Sequence, residues 1–250
     1  METSTGSLFF MKSAKSNVGV VIPSAGSGKR MSSNVPKQFL LLGKKPILVH
    51  TLETFEQSKE ISDVIVVASK ETLRASERLV QEYSLSKVKE IILGGKERQH
   101  SVANGCAALR KYTPEIILVH DAVRPFISEK LLRTLIANAQ EFGAVVPAVI
   151  PKDTIGLISS RTIIEKFPLR TLLRNIQTPQ AFRSEILFDA IAKAEAEHFL
   201  GADESSIVHY AGFPVTCIEG SPFNIKITTE EDLSVGEVFL KLLLRGNVKR

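Results

Sequence analysis

"GVVIPSAGSGKRMSSNVPKQ", residues 19–38, sets a short apolar run directly before two glycines one residue apart and a cluster of cations. A nucleoside triphosphatase loop needs Gly-x-x-x-x-Gly-Lys-Ser/Thr, and a dinucleotide fold needs Gly-x-Gly-x-x-Gly. Neither pattern fits. Counting back from Gly28 and Lys29, the first Walker glycine falls on Pro23, and Arg30 stands where the Mg²⁺-binding hydroxyl should be. The third dinucleotide glycine falls on Met31. The stretch specifies instead a strand that runs into a glycine-rich, cationic turn, a general device for holding polyphosphates on freed backbone N–H groups.

Similar β-branched runs recur at 64–68, 88–93, 116–119 and 144–150. Each is too short for an average helix and reads, like 18–22, as a buried strand. Stretches with helical periodicity lie between them, at 46–58, 70–83, 98–110 and 128–141. The alternation predicts an α/β fold: right-handed crossovers that build a mainly parallel sheet with helices on both faces. Functional loops in such sheets sit at the carboxyl ends of strands. The opening loop, "GGKERQHS" and "HDAVRPF" follow the first, third and fourth strands, so they are expected to converge on one edge.

Beyond residue 150 the rhythm changes. "KDTIGLISSRTIIEKFPLR", residues 152–170, alternates apolar and polar residues around Ser159, Ser160 and Arg161, which predicts a β-hairpin. A lone hairpin is marginal in water and should pack on something, such as a second copy of the chain. Helices are expected at about 184–198, 203–211 and 229–245, with a strand at 214–219. The organisation expected is a flexible extension over residues 1–16 and a single domain over 17–250, with the hairpin as an arm at about 150–172.

A formal net charge of +5, with both signs interspersed, suits small anionic substrates better than nucleic acid. Cys106 and Cys217 show neither metal-ligand spacing nor a disulfide framework, which points to a reducing compartment, the cytoplasm. No apolar run approaches the roughly 18 residues of a membrane span. In the leader "METSTGSLFFMKSAKSN" the apolar stretch Leu8 to Met11 is too short for a secretory core. Its Ser/Thr-rich, weakly basic character leaves a trimmed plastid-type remnant open.

Four motifs carry the candidate chemistry, each with a plainer alternative. Lys29, Arg30 and Lys37 can neutralise charge on a transferring phosphoryl group, or be solvated charges on a Gly-Ser turn. In "VHDAVRPF" (119–126), Asp121 can orient a sugar hydroxyl or hold Mg²⁺ while Arg124 reaches an anion. Alternatively, Asp121 caps the turn and pairs with Arg124; His120 reads as a packed histidine. "GGKERQHSV" (94–102) lets the chain pass close to a flat base, whose amino group a carbonyl such as that of Gly95 could read, with Ser101 nearby. Its plainer reading is a helix start with Glu97 and Arg98 as solvated charges. In "FNIKITTEEDL" (223–233), Lys226 precedes a capping signature at Thr228 or Thr229, and is a site cation or a strand-surface lysine. No Ser-His-Asp or Cys-His set stands out, and a displacement by a substrate nucleophile requires none.

Over about residues 17 to 245 the order of these pieces resembles the 2-C-methyl-D-erythritol 4-phosphate cytidylyltransferase family. The pieces are "PSAGSGKRM", "PKQ", "GGKERQHSV", "VHDAVRP", "DT" at 153–154, "TPQAF" at 178–182, "ADESS" at 202–206 and "NIKIT" at 224–228. The resemblance implies a Rossmann-like nucleotidyltransferase fold and a homodimer formed through the β-arm. It implies that the phosphate of methylerythritol phosphate attacks the α-phosphorus of CTP and expels pyrophosphate, with Mg²⁺ bridging the triphosphate. Arg30 and Lys37 would then stabilise the transition state, and Lys226 would hold the attacking phosphate. Arg170, with Thr154 from the same arm, would position the substrate phosphate from the partner subunit. Pro23, Ala25, Gly26, Gly28, Gly95 and Ser101 would cradle the nucleotide. Asp121 and Arg124 would meet the sugar and the erythritol moiety, with Asp121 also a candidate contact for a metal held mainly by the triphosphate.

The chain departs from the family at Ser24, often Ala, and at Lys96, where an acid can stand; Arg174 is a second arginine near Arg170. Ribitol 5-phosphate is the competing substrate, against which "PSAG" and "ADESS" speak. A non-catalytic nucleotide-binding protein on the same fold is the reading from another class. The cations at 30, 37, 170 and 226 argue against it, because binding alone does not need charge focused on the α-phosphorus.

Overall fold

β1 (Val18–Ser24) runs through the interior of an eight-stranded sheet in the computed structural model, which describes residues 17–26, 35–159 and 162–245. A short hairpin follows, β2 (Leu41–Leu42) and β3 (Lys45–Pro46), and then α1 (Ile47–Gln57). The alternation continues with β4 (Asp63–Ala68), α2 (Leu73–Glu82), β5 (Val88–Leu93), α3 (Arg98–Leu109), β6 (Ile116–Val119), α4 (Glu129–Phe142) and β7 (Ala144–Val149). The arm carries β8 (Leu157–Ile158) and β9 (Ile164–Lys166). The chain returns through β10 (Asn175–Ile176), β11 (Gln180–Arg183), α5 (Ser184–Ala196), α6 (Glu204–Tyr210), β12 (Thr216–Glu219) and α7 (Glu230–Leu244).

β5, β4, β1 and β6 lie side by side in parallel. β11 inserts antiparallel between β6 and β7, β10 pairs antiparallel with the end of β7, and β12 pairs with β7 in parallel. The sheet is therefore mixed but mainly parallel, as the βα alternation predicts.

Period-two alternation feeds two cores. Val18, Val20, Ile22, Val64, Val66, Ile116 and Leu118 pack with Leu48, Leu52 and Phe55 of α1 and Leu132 and Leu135 of α4. Val21, Ile65, Val67, Ile117 and Val119 point the other way, onto Val102, Cys106 and Leu109 of α3 and Leu187 and Ile191 of α5. Burial on both faces explains why these strands read as unbroken apolar runs. At Gly105 a Cβ would stand 2.4 Å from Val21 Cγ1, so α3 presses on β1 more closely than alanine allows.

One expectation needs correction, and two readings gain detail. The run at 88–93 is not a buried strand: among the described residues β5 pairs only with β4, and it is intermediate or exposed along its length. The hairpin at 152–170 forms, but its ladder is only two and three residues long, with a register irregularity; Ser160 and Arg161 lie outside the described residues. "TPQAF", read only as a motif, supplies the central strand β11. Among the described residues no helix is long and apolar enough to cross a membrane.

Candidate active site

The carboxyl ends of β1, β5 and β6 open onto one cleft of ≈ 370 Å³. Pro23, Ala25, Gly26, Gly95, Ser101 and Asp121 line it, and Lys37 and Lys226 join them from other parts of the chain. The convergence of three strand-end loops is thus present, together with most of the residues singled out in the sequence.

Local hydrogen bonding explains each placement. The wholly internal Gln38 donates from Nε2 to the Ser24 carbonyl oxygen at 2.8 Å, which pins the 3-10 turn Lys37–Phe39 to the end of β1. After β5, Glu97 caps α3 in a reciprocal box with His100. The Ser101 hydroxyl donates to the Glu97 carbonyl at 3.1 Å and accepts the Gly95 N–H at 3.1 Å, folding the loop back on the helix. Position 94 must be glycine: a Cβ there would lie 2.6 Å from Ser101 Oγ and 2.9 Å from the Ala25 Cβ. Lys226 enters because the Ile227 N–H donates to the Val123 carbonyl at 2.9 Å.

Asp121, 7% exposed, is the electrostatic centre. Its Oδ2 meets Arg124 Nε at 3.1 Å and Lys226 Nζ at 3.0 Å, while Oδ1 lies 3.6 Å from Arg98 Nη2. Burial alone would raise its carboxyl, but Lys226, Arg98 and Arg124 outweigh that and hold it well below the ordinary aspartate value. The pairing of Asp121 with Arg124, set out as an alternative to a functional role, coexists with a place in the cleft. Arg124 stands behind the carboxylate, and its Nη1 also donates to the Asn224 carbonyl at 2.8 Å.

His120 is a packed residue. Its Nε2 donates to the Arg124 carbonyl at 2.9 Å, and its Nδ1 accepts from the Thr178 hydroxyl at 3.1 Å, which in turn accepts the Asp121 N–H at 3.0 Å. Burial, opposed by these bonds, takes its pKa down to about 4, so the ring is neutral at pH 7. Asn224 Nδ2 donates to the Thr178 carbonyl at 2.8 Å. "VHDAVR", "TPQ" and "NIKIT" are thereby one hydrogen-bonded unit.

Sequence reasoning missed two members. Arg98, read as a solvated charge, is turned inward: its Nη1 touches both Glu204 oxygens, at 2.8 and 3.0 Å. Glu204 of "ADESS" is 0% exposed. Burial raises its carboxyl above the usual value although Arg98 opposes the rise, and Arg98 is kept charged by Glu204 and Asp121 against the cost of its own burial. A glutamate following Asp at a capping box was the available signal, but its partner is 106 residues away.

Gly28 and Arg30 fall outside the described residues. Thr154 and Arg170 sit exposed on the arm and do not line the cleft. Arg170 Nη1 donates to the Lys152 carbonyl at 3.1 Å, and Arg174 bonds only locally, to the carbonyls of Thr171 and Leu173 at 2.8 Å.

Residues 18–242 match the family model described as "IspD: 2-C-methyl-D-erythritol 4-phosphate cytidylyltransferase". A relative of that name from Halalkalibacterium halodurans is 43% identical over 221 residues, 88% of this chain and 96% of its own. Another, from Alkaliphilus metalliredigens, is 42% identical over 226 residues, 90% of this chain and 93% of its own. Among solved structures, a 4-diphosphocytidyl-2C-methyl-D-erythritol synthase from Anaerococcus prevotii superposes with a TM-score of 0.79 at 30% identity, covering 91% of this chain and all of the other. With its strand-end cleft, its ordered motifs and a match over nearly its whole length, the chain belongs to the 2-C-methyl-D-erythritol 4-phosphate cytidylyltransferase family.

Proposed function

We propose that the protein transfers the cytidylyl group of CTP to 2-C-methyl-D-erythritol 4-phosphate, releasing pyrophosphate and 4-diphosphocytidyl-2-C-methyl-D-erythritol in the non-mevalonate route to isoprenoids. The observation that carries this reading is the cleft itself: a glycine-lined wall, Lys37, Lys226 and Asp121 around one volume, in a chain of this family. The relatives' names favour methylerythritol phosphate over ribitol 5-phosphate.

A phosphate oxygen of the polyol attacks the α-phosphorus of CTP; a P–O bond forms there as the bond to the bridging oxygen breaks, and pyrophosphate leaves with the electron pair. The substrate supplies the nucleophile, so the protein's work is positioning and charge stabilisation. The start of the glycine loop and the 94–101 loop bind the nucleotide. Lys37 offsets charge growing on the α-phosphate and leaving group, a role the family resemblance also gives to Arg30, and Lys226 places the attacking phosphate. Asp121 accepts from a hydroxyl of the sugar or polyol. Its carboxylate is already shared by three cations, and the described residues hold no cluster of three or more His, Cys, Asp or Glu side chains. Mg²⁺ is therefore assigned to the triphosphate, where it offsets phosphate charge, rather than to Asp121.

The arm supplies the rest. Ile158, Ile163, Phe167, Leu169 and Leu172 are between 63% and 78% exposed on it, which a second copy of the chain would cover. In that homodimer Arg170 and Thr154 reach the partner's cleft. The free thiols Cys106 and Cys217 suit a reducing cytoplasm. Pyrophosphate release with each pairing of CTP or another triphosphate with methylerythritol phosphate or ribitol 5-phosphate tests the reading. Turnover is expected with CTP and methylerythritol phosphate, and faster turnover with ribitol 5-phosphate would overturn it.

A further inference from the structure

The Arg98 guanidinium stands between two carboxylates and is shared unequally. Glu204 lies 2.8 Å from Nη1, whereas Asp121 Oδ1 is 3.6 Å from Nη2. Glu204 is held rigidly as the first residue of α6: Asp203 accepts the Ser206 N–H at 2.9 Å, and Gln180 of β11 donates to Asp203 Oδ2 at 2.7 Å and accepts the Ser205 N–H at 2.9 Å. Gln99, the next residue of α3, is fastened to the same segment, its Oε1 accepting the Gly201 N–H and its Nε2 donating to the Phe199 carbonyl, each at 2.9 Å. Nothing in the chemistry of nucleotidyl transfer calls for a carboxylate in this place, which faces no substrate.

We infer that Glu204 is a positioning residue for the transfer reaction: it draws the Arg98 charge away from Asp121, so that Asp121 Oδ2 stays with Arg124 and Lys226, and Lys226 stays where the attacking phosphate must dock. The inference rests on the proposed function, in which Lys226 meets that phosphate. A cation half withdrawn from a buried carboxylate moves toward it once its competing anion is lost. Without the Glu204 charge, Arg98 closes on Asp121 Oδ1, draws the carboxylate toward itself and loosens the 3.0 Å contact of Lys226 with Oδ2. Arg98 also lines the cleft, but the loop that forms the nucleotide wall keeps its shape without Glu204, because Gly95, Glu97 and Ser101 are tied to one another. The loss therefore falls on the polyol phosphate and the turnover step.

Glu204→Gln tests this in the full-length protein. The kcat/KM for methylerythritol phosphate should fall about tenfold while the Kd for CTP, measured calorimetrically without the second substrate, stays within about threefold. Glu204→Asp, which keeps the charge, should recover most of the loss. Should Glu204→Gln fold poorly, the paired Arg98→Met/Glu204→Met protein replaces the buried ion pair by apolar chains of similar size, a change that proteins often tolerate. That protein should bind CTP and show the same loss with the polyol phosphate. Wild-type turnover in a folded Glu204→Gln or paired variant overturns the inference. So does parallel weakening of CTP binding without recovery by Glu204→Asp, which marks a packing role. A wild-type protein that releases no pyrophosphate from CTP and methylerythritol phosphate overturns the functional reading itself, a result distinct from both.

Discussion

Asp121 at the end of β6 has three cations within 3.6 Å, whereas on the arm Ile163, Leu169 and Leu172 are 69–78% exposed. In the cleft, charge is matched within one chain: Arg124 and Lys226 on one oxygen, Arg98 near the other, Glu204 behind Arg98. A low-dielectric wall makes such pairs strong and fixes them before substrate arrives. The arm has the reverse composition, with apolar side chains outward and a ladder of two or three residues to hold them. The charges around Asp121 are matched within a single copy; the apolar side chains of the arm are left uncovered by the described residues, and the proposed second copy would cover them. On the proposed homodimer, the difference separates what one copy would do, binding and charging the nucleotide site, from what two copies would do.

The largest effect should come from the cleft. Lys37→Ala is expected to lower kcat by about 10²–10³ while leaving the CTP Kd nearly unchanged, as for loss of a group that acts on transition-state charge. Single-turnover pyrophosphate release beside calorimetric CTP binding reads both quantities. Unchanged turnover removes Lys37 from the mechanism and leaves the cleft a binding site only.

Next is the pH response of the framework beneath the cleft. His120 has its pKa taken down to about 4 in the folded protein, from 6.5 for the free side chain. Between these values the unfolded chain binds the proton more readily, so the His120 contribution to stability is lost as pH falls from 6.5 toward 4. A shift of that size corresponds to about 3 kcal/mol across the window. Asp121, held below its ordinary value, loses stability in the same direction at lower pH, and Glu204, raised by burial, works in the opposite sense. Denaturant unfolding of wild type and His120→Asn at a series of pH values isolates the histidine: the variant should lose most of this slope. An equal slope in both would mean that the ring is not what the acid range titrates.

How far each region was legible follows from the range of the forces involved. β1, β4 and β6 announce themselves because strands buried on both faces are apolar at nearly every position. The cleft was legible through chain order, since three strand-end loops necessarily gather at one edge of a parallel sheet. Lys226 was ambiguous because a backbone bond from Ile227 to Val123 places it, and such a bond leaves no mark on composition. Arg98 and Glu204 were illegible as a pair: a surface helix start and a buried carboxylate 106 residues apart look like two solvated charges until the fold joins them. β11 is four residues directly after Pro179, too short to display a period. The thin ladder of the arm has a similar cause, for its alternation is that of any hairpin, while its apolar exposure appears only once no described residue is seen to cover it.

The arm offers the next test. Arg170→Ala should lower kcat/KM for methylerythritol phosphate by about 10², with CTP binding retained. If Arg170 serves the partner's cleft, exchange of subunits between inactive Arg170→Ala and Lys37→Ala proteins builds heterodimers with one intact site and one doubly altered site. Random exchange then restores roughly a quarter of wild-type activity, since half of the dimers carry one good site of two. Confirmed exchange without recovery would place Arg170 at its own cleft, or outside both.

The smallest effect belongs to the apolar surface of the arm. Leu172, 78% exposed, gains little from the fold of its own chain, so Leu172→Asp should leave the unfolding midpoint of an isolated subunit almost unchanged. In a dimer the same change buries a carboxylate without a partner and should raise the dimer dissociation constant by about tenfold or more. Sedimentation over a dilution series measures that shift, and if Arg170 completes the partner's site as proposed, activity should follow the dimer fraction. If Leu172→Asp leaves both sedimentation and activity unaltered, the exposed arm is not the interface. The cleft would then have to be completed by its own chain, and the contrast between the two regions would be one of surface composition rather than of division of labour.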